Sequence, residues 1–425
     1  MTDILILGAG AAGLSAGHYA SGAGKSVTIL EARNRAGGRI HTLHEAGFSF
    51  PVEAGAEFIH GDLPLTKGLL EEARIEYYEG HGATWNVTNG KLQHGEFFEE
   101  GWDEFIEALK ELDHDMSISA FLQQHFASSQ YDFLRDSVIR FVQGYDAADA
   151  NKASAFALRE EWTSEDSMTG HRPKGGYSQM INYLVDRCKA QGVTFHFNSV
   201  VKDITWKTGL VEVTTHSGER YTSEKLLITI PVAVLRSGAV NFNPQPSEHL
   251  AALHKIETGG VIKFLVEFQE AFWETHQKPA FRAMPELHFL FSDAAIPTWW
   301  TQKPAPQPLL TGWLAGPAVK EHMLDDSVLI QEAIQSLAYC FACTPAELEQ
   351  QIKNILVVNW IADPFSQGAY AYKTVDTQAA LEILSIPVNN TLYFAGEALY
   401  NGPAMGTVEA ALASGQESIK KILAS

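Results

Sequence analysis

Gly8-Ala9-Gly10-Ala11-Ala12-Gly13 stands directly after a short apolar run and directly before a helical one. Glycines at this spacing suit a pyrophosphate: Gly8 permits a tight turn, Gly10 lets phosphate approach the backbone, and Gly13 lets the helix pack close to the strand. The helix start, at Ala12 and beyond, offers free N–H groups and a partial positive charge. Glu31 closes the next apolar run, Val27-Thr28-Ile29-Leu30, eighteen residues after Gly13. A carboxylate there accepts hydrogen bonds from ribose hydroxyls and repels a 2′-phosphate. Glu31-Ala32-Arg33-Asn34-Arg35-Ala36-Gly37-Gly38-Arg39 then brings a glycine pair and a guanidinium, a second set of donors for phosphate oxygens. The chemistry implied is dinucleotide binding with two phosphate clamps.

Lys263 is a second chemical signal. It interrupts an apolar run between Ile262 and Phe264, where a cation is out of place unless it faces something polar. Strand alternation with Glu267 four residues on would equally put it toward solvent. Aromatic residues gather in the second half of the chain: Trp299-Trp300, Trp360, Tyr370, Tyr372 and Tyr400. Cys340 and Cys343 form a C-x-x-C with no second Cys/His pair nearby, so no metal is expected, and half-buried helical thiols are.

These residues need elements to hold them. Strands are expected at 3–7 and 27–30 around a helix at 14–21, forming one βαβ unit. Tyr177, Ile181, Leu184, Val185 and Cys188 repeat at helical spacing, and short β-rich runs follow at 193–197, 200–206, 211–215 and 226–230. Residues 66–173 read as helical, from Trp102, Phe105, Ile106 and Leu109 and from Leu134, Val138, Phe141 and Val142. Residues 237–384 alternate, with strands expected at 261–268, 287–291 and 309–314, a helix at 327–341 and a surface loop at 303–308. A strand at 392–395 and a glycine-started helix close the chain and aim another positive helix end at the ligand. The expected division is a discontinuous dinucleotide-binding domain, residues 1–65, 174–236 and 385–425, and a substrate-binding domain, residues 66–173 and 237–384.

The 425 residues exceed one ordinary core. With 31 Lys+Arg against 51 Asp+Glu, the net charge of −20 leaves no basic stripe for nucleic acid and would attract cationic substrates such as polyamines. Three cysteines imply no disulfide framework. With apolar alternation starting at once in Ile4-Leu5-Ile6-Leu7, no leader is expected, and no apolar stretch is long enough to span a bilayer as a helix. The expected location is cytoplasmic.

The glycine-rich start, the Gly37-Gly38-Arg39 block and five later blocks together resemble the flavin-containing amine oxidases, the family of monoamine and polyamine oxidases. Val52-Glu53-Ala54-Gly55-Ala56-Glu57-Phe58-Ile59-His60-Gly61 resembles the segment passing beside the flavin ring. Lys174-Gly175-Gly176-Tyr177 resembles the turn that returns the chain to the cofactor domain, and Leu226-Leu227-Ile228-Thr229-Ile230-Pro231 the strand and proline that leave it again. Tyr393-Phe394-Ala395-Gly396-Glu397 and Gly406-Thr407-Val408-Glu409-Ala410-Ala411 resemble the closing cofactor motif. The resemblance implies an α/β fold, with a discontinuous Rossmann-like FAD-binding domain plus a mixed-sheet and helical substrate domain. It places Glu31, with Ala32 and Arg33, at the adenosine ribose, and Arg39 near pyrophosphate and flavin. Val201 backbone falls at adenine, Ala56 and Glu57 beside the flavin, and Glu397 at the ribityl or pyrophosphate region.

The same resemblance implies FAD-dependent oxidation of a small amine. A hydride equivalent passes from the carbon next to nitrogen to flavin N5, dioxygen takes the electrons as hydrogen peroxide, and the imine hydrolyses to an aldehyde. Lys263 matches a lysine that holds a water against flavin N5 and assists reoxidation. Tyr370, after Asp363-Pro364-Phe365-Ser366-Gln367-Gly368-Ala369, matches one wall of an aromatic cage, with Trp360 packing near the flavin. His60 matches a histidine near the active site of several polyamine oxidases. Glu53 and Glu57 could bind a distal ammonium, or Glu53 could satisfy buried backbone. Two departures stand out. Ala369 replaces the cysteine that tethers flavin in monoamine oxidases, so FAD is expected to be non-covalent. Gly402-Pro403-Ala404 replaces the second cage tyrosine, leaving Trp299, Trp300 or Tyr400 to fill the space. The alternatives are an L-amino-acid oxidase, with Arg159 or Arg282 clamping a carboxylate, a desaturase or dehydrogenase of the same fold, and a flavin-free binding protein like the guanine-nucleotide dissociation inhibitors.

Overall fold

The strand Thr2–Leu7 is apolar at four consecutive positions because both of its faces are covered. It pairs in parallel with Val27–Leu30 on one side and Arg220–Ile228 on the other. The computed structural model, which describes residues 1–95, 101–163, 170–275, 281–322 and 325–425, extends this sheet to eight strands. Thr194–His196 lies outside Val27–Leu30, while Leu210–Thr215, Val201–Lys207 and Asn241–Asn243 continue beyond Arg220–Ile228. Leu392–Phe394 joins in parallel beside residues 226–228.

On one face, helix Ala11–Gly22 packs between Ser178–Ala190 and Val408–Leu423, burying Leu14, Ile181, Leu184 and Ile419 against Ile4, Ile6 and Ile29. Each such side chain contributes about 1.5–3 kcal/mol when fully removed from water. A Cβ on Gly415 would stand 2.3 Å from the Ala12 carbonyl oxygen, so glycine is what lets the last helix cross the first at backbone contact. The opposite face buries Leu5, Leu7, Leu226 and Ile228 with Leu253, Leu381 and Leu384.

A second sheet of seven strands runs Ile352–Asn359, Val261–Phe268, Leu309–Ala315, Thr298–Trp300, Leu287–Ser292, Ala83–Thr88, Lys91–His94. Helix Asp326–Phe341 covers it, started by Asp325 accepting from Ser327 N–H. Helices Trp102–Lys110, Ile118–His125, Asp132–Gly144 and Ala155–Trp162 enclose a core of their own. No helix among the described residues is long and apolar enough to cross a membrane.

Three placements differ from the sequence expectation. Residues 83–94 form a hairpin in the second sheet rather than part of a helical region; Asn89 and Gly90 both have positive φ, 51° and 72°, the turn that a two-residue hairpin demands. Asn241–Asn243 pairs with the nucleotide-side sheet, and helices Ser247–Leu253 and Thr377–Leu384 pack beneath it, so those segments lie past the expected boundaries at 236 and 385. Cys340 is buried inside its helix, but Cys343 lies beyond the helix end and is half-exposed.

Candidate functional site

The glycine turn is built for a ligand that touches backbone. Gly8 N–H donates to Leu30 O at 2.7 Å and Gly37 N–H to Ala9 O at 2.9 Å, which brings both phosphate-clamp segments to one spot. A Cβ on Gly13 would lie 2.0 Å from Gly8 O, so this glycine serves packing. A Cβ on Gly10 or Gly396 would meet no protein atom within 4 Å, and one on Gly38 only Gly10 Cα at 3.7 Å. Backbone at Gly10 and Gly396 therefore faces open space, the cradle a pyrophosphate requires. The residues present fit a dinucleotide.

Glu31 is buried and accepts from Ala9 N–H at 2.7 Å and Arg33 N–H at 2.8 Å. A carboxylate has about four lone-pair sites, so two remain for ribose hydroxyls. Arg33 turns away from that carboxylate to a two-pronged pair with Asp363, 2.8 and 2.6 Å, plus Ser366 Oγ at 2.9 Å. A cavity of about 600 Å³ opens here, lined by Ala32, Asn34, Asn198 and Val200, the last adjoining buried Val201. Along the other clamp, Arg39 donates to Glu397 Oε1 at 2.7 Å and to Ala369 O, while Glu397 Oε2 accepts from Ala371 N–H at 3.2 Å. Thr407 caps the last helix by accepting from Ala410 N–H, and a Cβ on Gly406 would reach Ala371 O at 2.8 Å.

Lys263 is buried rather than facing solvent, because its side chain leaves the sheet toward Gly55, Glu57 and the Trp300 ring, which cover it. Its Nζ donates to Glu57 Oε2 at 2.8 Å and Gly55 O at 3.1 Å. The other Glu57 oxygen accepts from Trp300 Nε1 at 2.9 Å, and from Arg172 Nε and Gln302 Nε2 at 3.1 Å. Burial pushes the Glu57 carboxyl up, but Lys263 and Arg172 outweigh it and hold its pKa at about 2. Glu53 has no such cation in contact: burial raises it to about 7, against the Tyr177 N–H bond at 2.6 Å. Trp360 Nε1 donates to Ala54 O at 2.9 Å and Ala56 N–H to Arg39 O at 3.1 Å, tying residues 54–57 to the cofactor clamp.

Beyond Lys263 stands a ring of aromatic side chains. Trp300 is 5.7 Å from Trp313 and 5.6 Å from Phe58; Phe58 stacks on His60 at 5.3 Å, and His60 meets Tyr145 edge-on at 5.3 Å. Trp313 stacks on Tyr370 at 6.5 Å, and Tyr370 Oη closes the ring by donating to Tyr145 O. Asp146 directly follows Tyr145; burial first, and then the charge of Glu161, raises its carboxyl well above the ordinary range.

The structure thus brings Lys263, Glu57, Trp360, His60 and Tyr370 together with the glycine clamps. It does not bring Trp299, which lies in the second-sheet core with Nε1 on Ile296 O, nor does it leave Glu57 open to a ligand. Arg159 and Arg282 donate to the backbone carbonyls of Leu112 and of Cys340 and Gly90. Sequence reasoning missed Arg172, Trp313, Tyr145, Asp146 and Glu161. Glu409 was quoted only as part of the closing motif; its carboxylate starts helix Pro64–Glu72 by accepting Leu65 and Thr66 N–H. The one signal for these residues was Tyr145-Asp146 directly after an apolar helix.

Over residues 11–422 the chain matches the family model described as flavin containing amine oxidoreductase. Polyamine oxidase 4 of Oryza sativa subsp. japonica is 28% identical over 99% of this chain and 89% of that protein. Polyamine oxidase 2 of Arabidopsis thaliana is 27% identical over the same shares. Lysine-specific histone demethylase 2 of Homo sapiens is 26% identical over 99% of this chain and 53% of its own. In fold, the chain is similar to a putrescine oxidase solved with putrescine, at a TM-score of 0.84 and 18% identity over 100% of this chain and 99% of that one. Cyclohexylamine oxidase from Brevibacterium oxydans IH-35A gives 0.79 and 18% over 99% and 98%.

Proposed function

This chain is a member of the flavin-containing amine oxidoreductase family, and we propose that it binds FAD without a covalent tether and oxidises a small amine, with dioxygen as electron acceptor and hydrogen peroxide as product. One observation carries the reading. An unbroken line of contacts runs from Gly10 through Gly37, Arg39 and Glu397 to Ala369–Ala371, and from Arg39 through Ala56 to Glu57 and Lys263, ending at the aromatic ring. Gly10, Gly37, Arg39, Glu57, Lys263, Tyr370 and Glu397, all singled out in the sequence, sit on that line.

The flavin, when bound, supplies the two-electron acceptor. Gly10 and Gly38 would admit the pyrophosphate, Glu31 the ribose, and Glu397 with Arg39 the region between ribose and ring. Residues 54–57 would pass beside the ring. The two sheets would then divide into a cofactor-binding unit, residues 1–65, 174–236 and 385–425 with the added strand at 241–243, and a substrate-binding unit from the rest.

The protein's own part is to orient the amine and to set its protonation. An alkylammonium has a pKa near 10, as lysine does, and only the neutral amine has a lone pair to give; losing the proton at neutral pH costs about 4 kcal/mol. The aromatic ring lowers that cost by disfavouring a cation without a counter-charge. Lys263, held by Glu57 and Gly55 O, has a third N–H that would hold a water at the edge of a bound flavin. Ala369 offers no thiol for a covalent link, and Cys188, Cys340 and Cys343 lie in other cores.

The purified yellow protein, mixed anaerobically with monoamines, polyamines and L-amino acids, should bleach with amines and regain colour with peroxide on admitting air. Bleaching by amino acids alone would overturn the amine assignment, and bleaching without recovery in air would make it a dehydrogenase. Acid precipitation should release all of the FAD into solution.

A further inference from the structure

We infer that Arg172 is a positioning residue for reoxidation of the cofactor: it offsets Glu57, so that Lys263 keeps an effective positive charge at the place proposed for the flavin edge. This rests on the FAD oxidase reading above. Lys263 Nζ is 2.8 Å from Glu57 Oε2, and Arg172 Nε is 3.1 Å from Glu57 Oε1. Two cations thus share one carboxylate, and the cluster carries a net charge of +1.

Arg172 is held from several directions. Its strand, Gly170–Pro173, pairs with Ile59–His60 and with Tyr77–Glu79. Nη1 donates to Lys303 O at 3.2 Å and Nη2 to Thr301 O at 3.1 Å, and the guanidinium carbon lies 4.2 Å from the centre of the Phe58 ring. Trp300 and Gln302 also donate to Glu57 Oε1, whereas Oε2 accepts only from Lys263 among the described residues.

Neighbouring ionisable groups leave that charge standing. Burial, then Arg172, lowers the His288 pKa to about 4, so the ring is neutral at ordinary pH. Lys303 is taken by Glu274 and Glu286. Glu53, raised to about 7 by burial, is bonded to Thr42 and the Tyr177 N–H rather than to either cation. A structural need would be met by one cation per carboxylate, and a second buried cation is unfavourable on its own.

Reoxidation supplies a use for it. Two electrons and a proton from the anionic reduced cofactor, with one proton from solvent, pass to dioxygen, which leaves as hydrogen peroxide. Negative charge builds on oxygen before both protons arrive, and a fixed cation nearby stabilises it without reorganising. With Glu57 as its sole charged neighbour, Lys263 would form a neutral pair and lose most of that field. Arg172 restores it.

The test uses the FAD-loaded protein at about pH 6, below the Glu53 value of about 7, with the flavin reduced by light and EDTA so that no amine is needed. Stopped-flow mixing with oxygen gives the reoxidation rate. Titration with sulfite, an anion that adds to flavin N5, gives a dissociation constant outside the catalytic reaction. Arg172→Gln should slow reoxidation and weaken sulfite binding by about tenfold each, the scale of one nearby charge at an effective dielectric of about 20. Arg172→Lys keeps the charge without the fork of bonds and should lose much less of either. Adding Glu57→Gln to Arg172→Gln returns the cluster to one net cation and should recover most of both losses, which a packing role for Arg172 would not allow. Additive losses in the double variant, or unchanged sulfite affinity in Arg172→Gln, would overturn the inference. If Arg172→Gln does not fold, Glu57→Gln alone decides: with two cations left it should bind sulfite more tightly than the parent, and equal or weaker binding sinks the charge argument. The expected response of light-reduced flavin, with no bleaching by any amine, supports Arg172 in this role and overturns the amine reading alone. A chain that takes up no FAD overturns both.

Discussion

Lys263 Nζ lies 2.8 Å from Glu57 Oε2, with the two side chains 1% and 3% exposed. A pair so dry is worth little as a net gain, because desolvating both ions offsets their attraction, but breaking it strands a charge. Arg172 makes the point sharper, since it too relies on Glu57. Glu57→Leu should cost about 3–5 kcal/mol of unfolding free energy, read by denaturant titration. Glu57→Gln also removes the charge but keeps an oxygen for Trp300 and Gln302; a loss equal to that of Glu57→Leu would show that the charge is what matters, and a clearly smaller loss that the hydrogen bonds are.

Lys263→Met should slow reoxidation of the reduced flavin by about tenfold or more, with each tenfold worth ~1.4 kcal/mol of barrier. FAD affinity should change far less, because Lys263 is bonded to Glu57 and Gly55 O and not to the clamp residues. Stopped-flow mixing with oxygenated buffer reads the first quantity and flavin titration the second. Unaltered reoxidation would remove Lys263 from that step.

Two glycines three apart should fail in opposite ways. Gly10→Ala adds a methyl that meets no protein atom, so the apoprotein should melt close to the parent while FAD binding is lost. Gly13→Ala drives a methyl to 2.0 Å from Gly8 O, so the fold itself should suffer. Melting of the apoproteins and FAD titration separate the two. An apo Gly10→Ala protein that binds FAD normally would place the pyrophosphate elsewhere.

Removing the Arg39 guanidinium should loosen FAD about tenfold or more, as loss of a charged hydrogen bond costs about 1.5–3 kcal/mol. Arg39→Ala strands Glu397, whose oxygens it shares with Ala371 N–H. Fluorescence of released flavin on dilution measures the change. Parent-like retention would show that Arg39 only ties the loop at Ala369 in place.

The pH dependence of stability has two arms. Glu53 sits near 7 in the folded state against an ordinary 4.5, so folding favours its neutral form. Its contribution is complete below about 4.5 and is lost as pH rises through 7. Glu57, near 2, acts oppositely: its contribution is present above about 4.5 and disappears as pH falls toward 2. Glu53→Gln should flatten the decline between about pH 4.5 and 7 in urea titrations of the apoprotein. Parallel curves for parent and variant would assign the decline to another group.

Local pattern was enough for the elements. The strands at 27–30 and 261–268 fall at their expected bounds because covered strands are continuous apolar runs, and the helix expected at 327–341 begins one residue earlier at its Asp325 cap. The hairpin at 83–94 escaped because half-buried, polar strands carry little pattern, although Asn89-Gly90 marks its turn. Trp299 and Trp300 were indistinguishable in sequence. Adjacent residues on a strand point to opposite faces, and one went to the core while the other reached Glu57.

By itself the sequence determined the dinucleotide cradle: glycines, Glu31 and Arg39 act through backbone shape and spacing over short stretches, which any chain must spell out in order. It also singled out Lys263, since a cation in an apolar run is costly wherever it lands. What Lys263 would pair with, and which carboxylates would be spent or left open, was decided only by the tertiary structure. Glu53, Glu57, Asp146 and Glu161 are the same chemistry in sequence. Their fates differ because charge interacts through space: Lys263 and Arg172 come from 206 and 115 residues away to neutralise Glu57, and among the described residues none bonds Asp146 Oδ2.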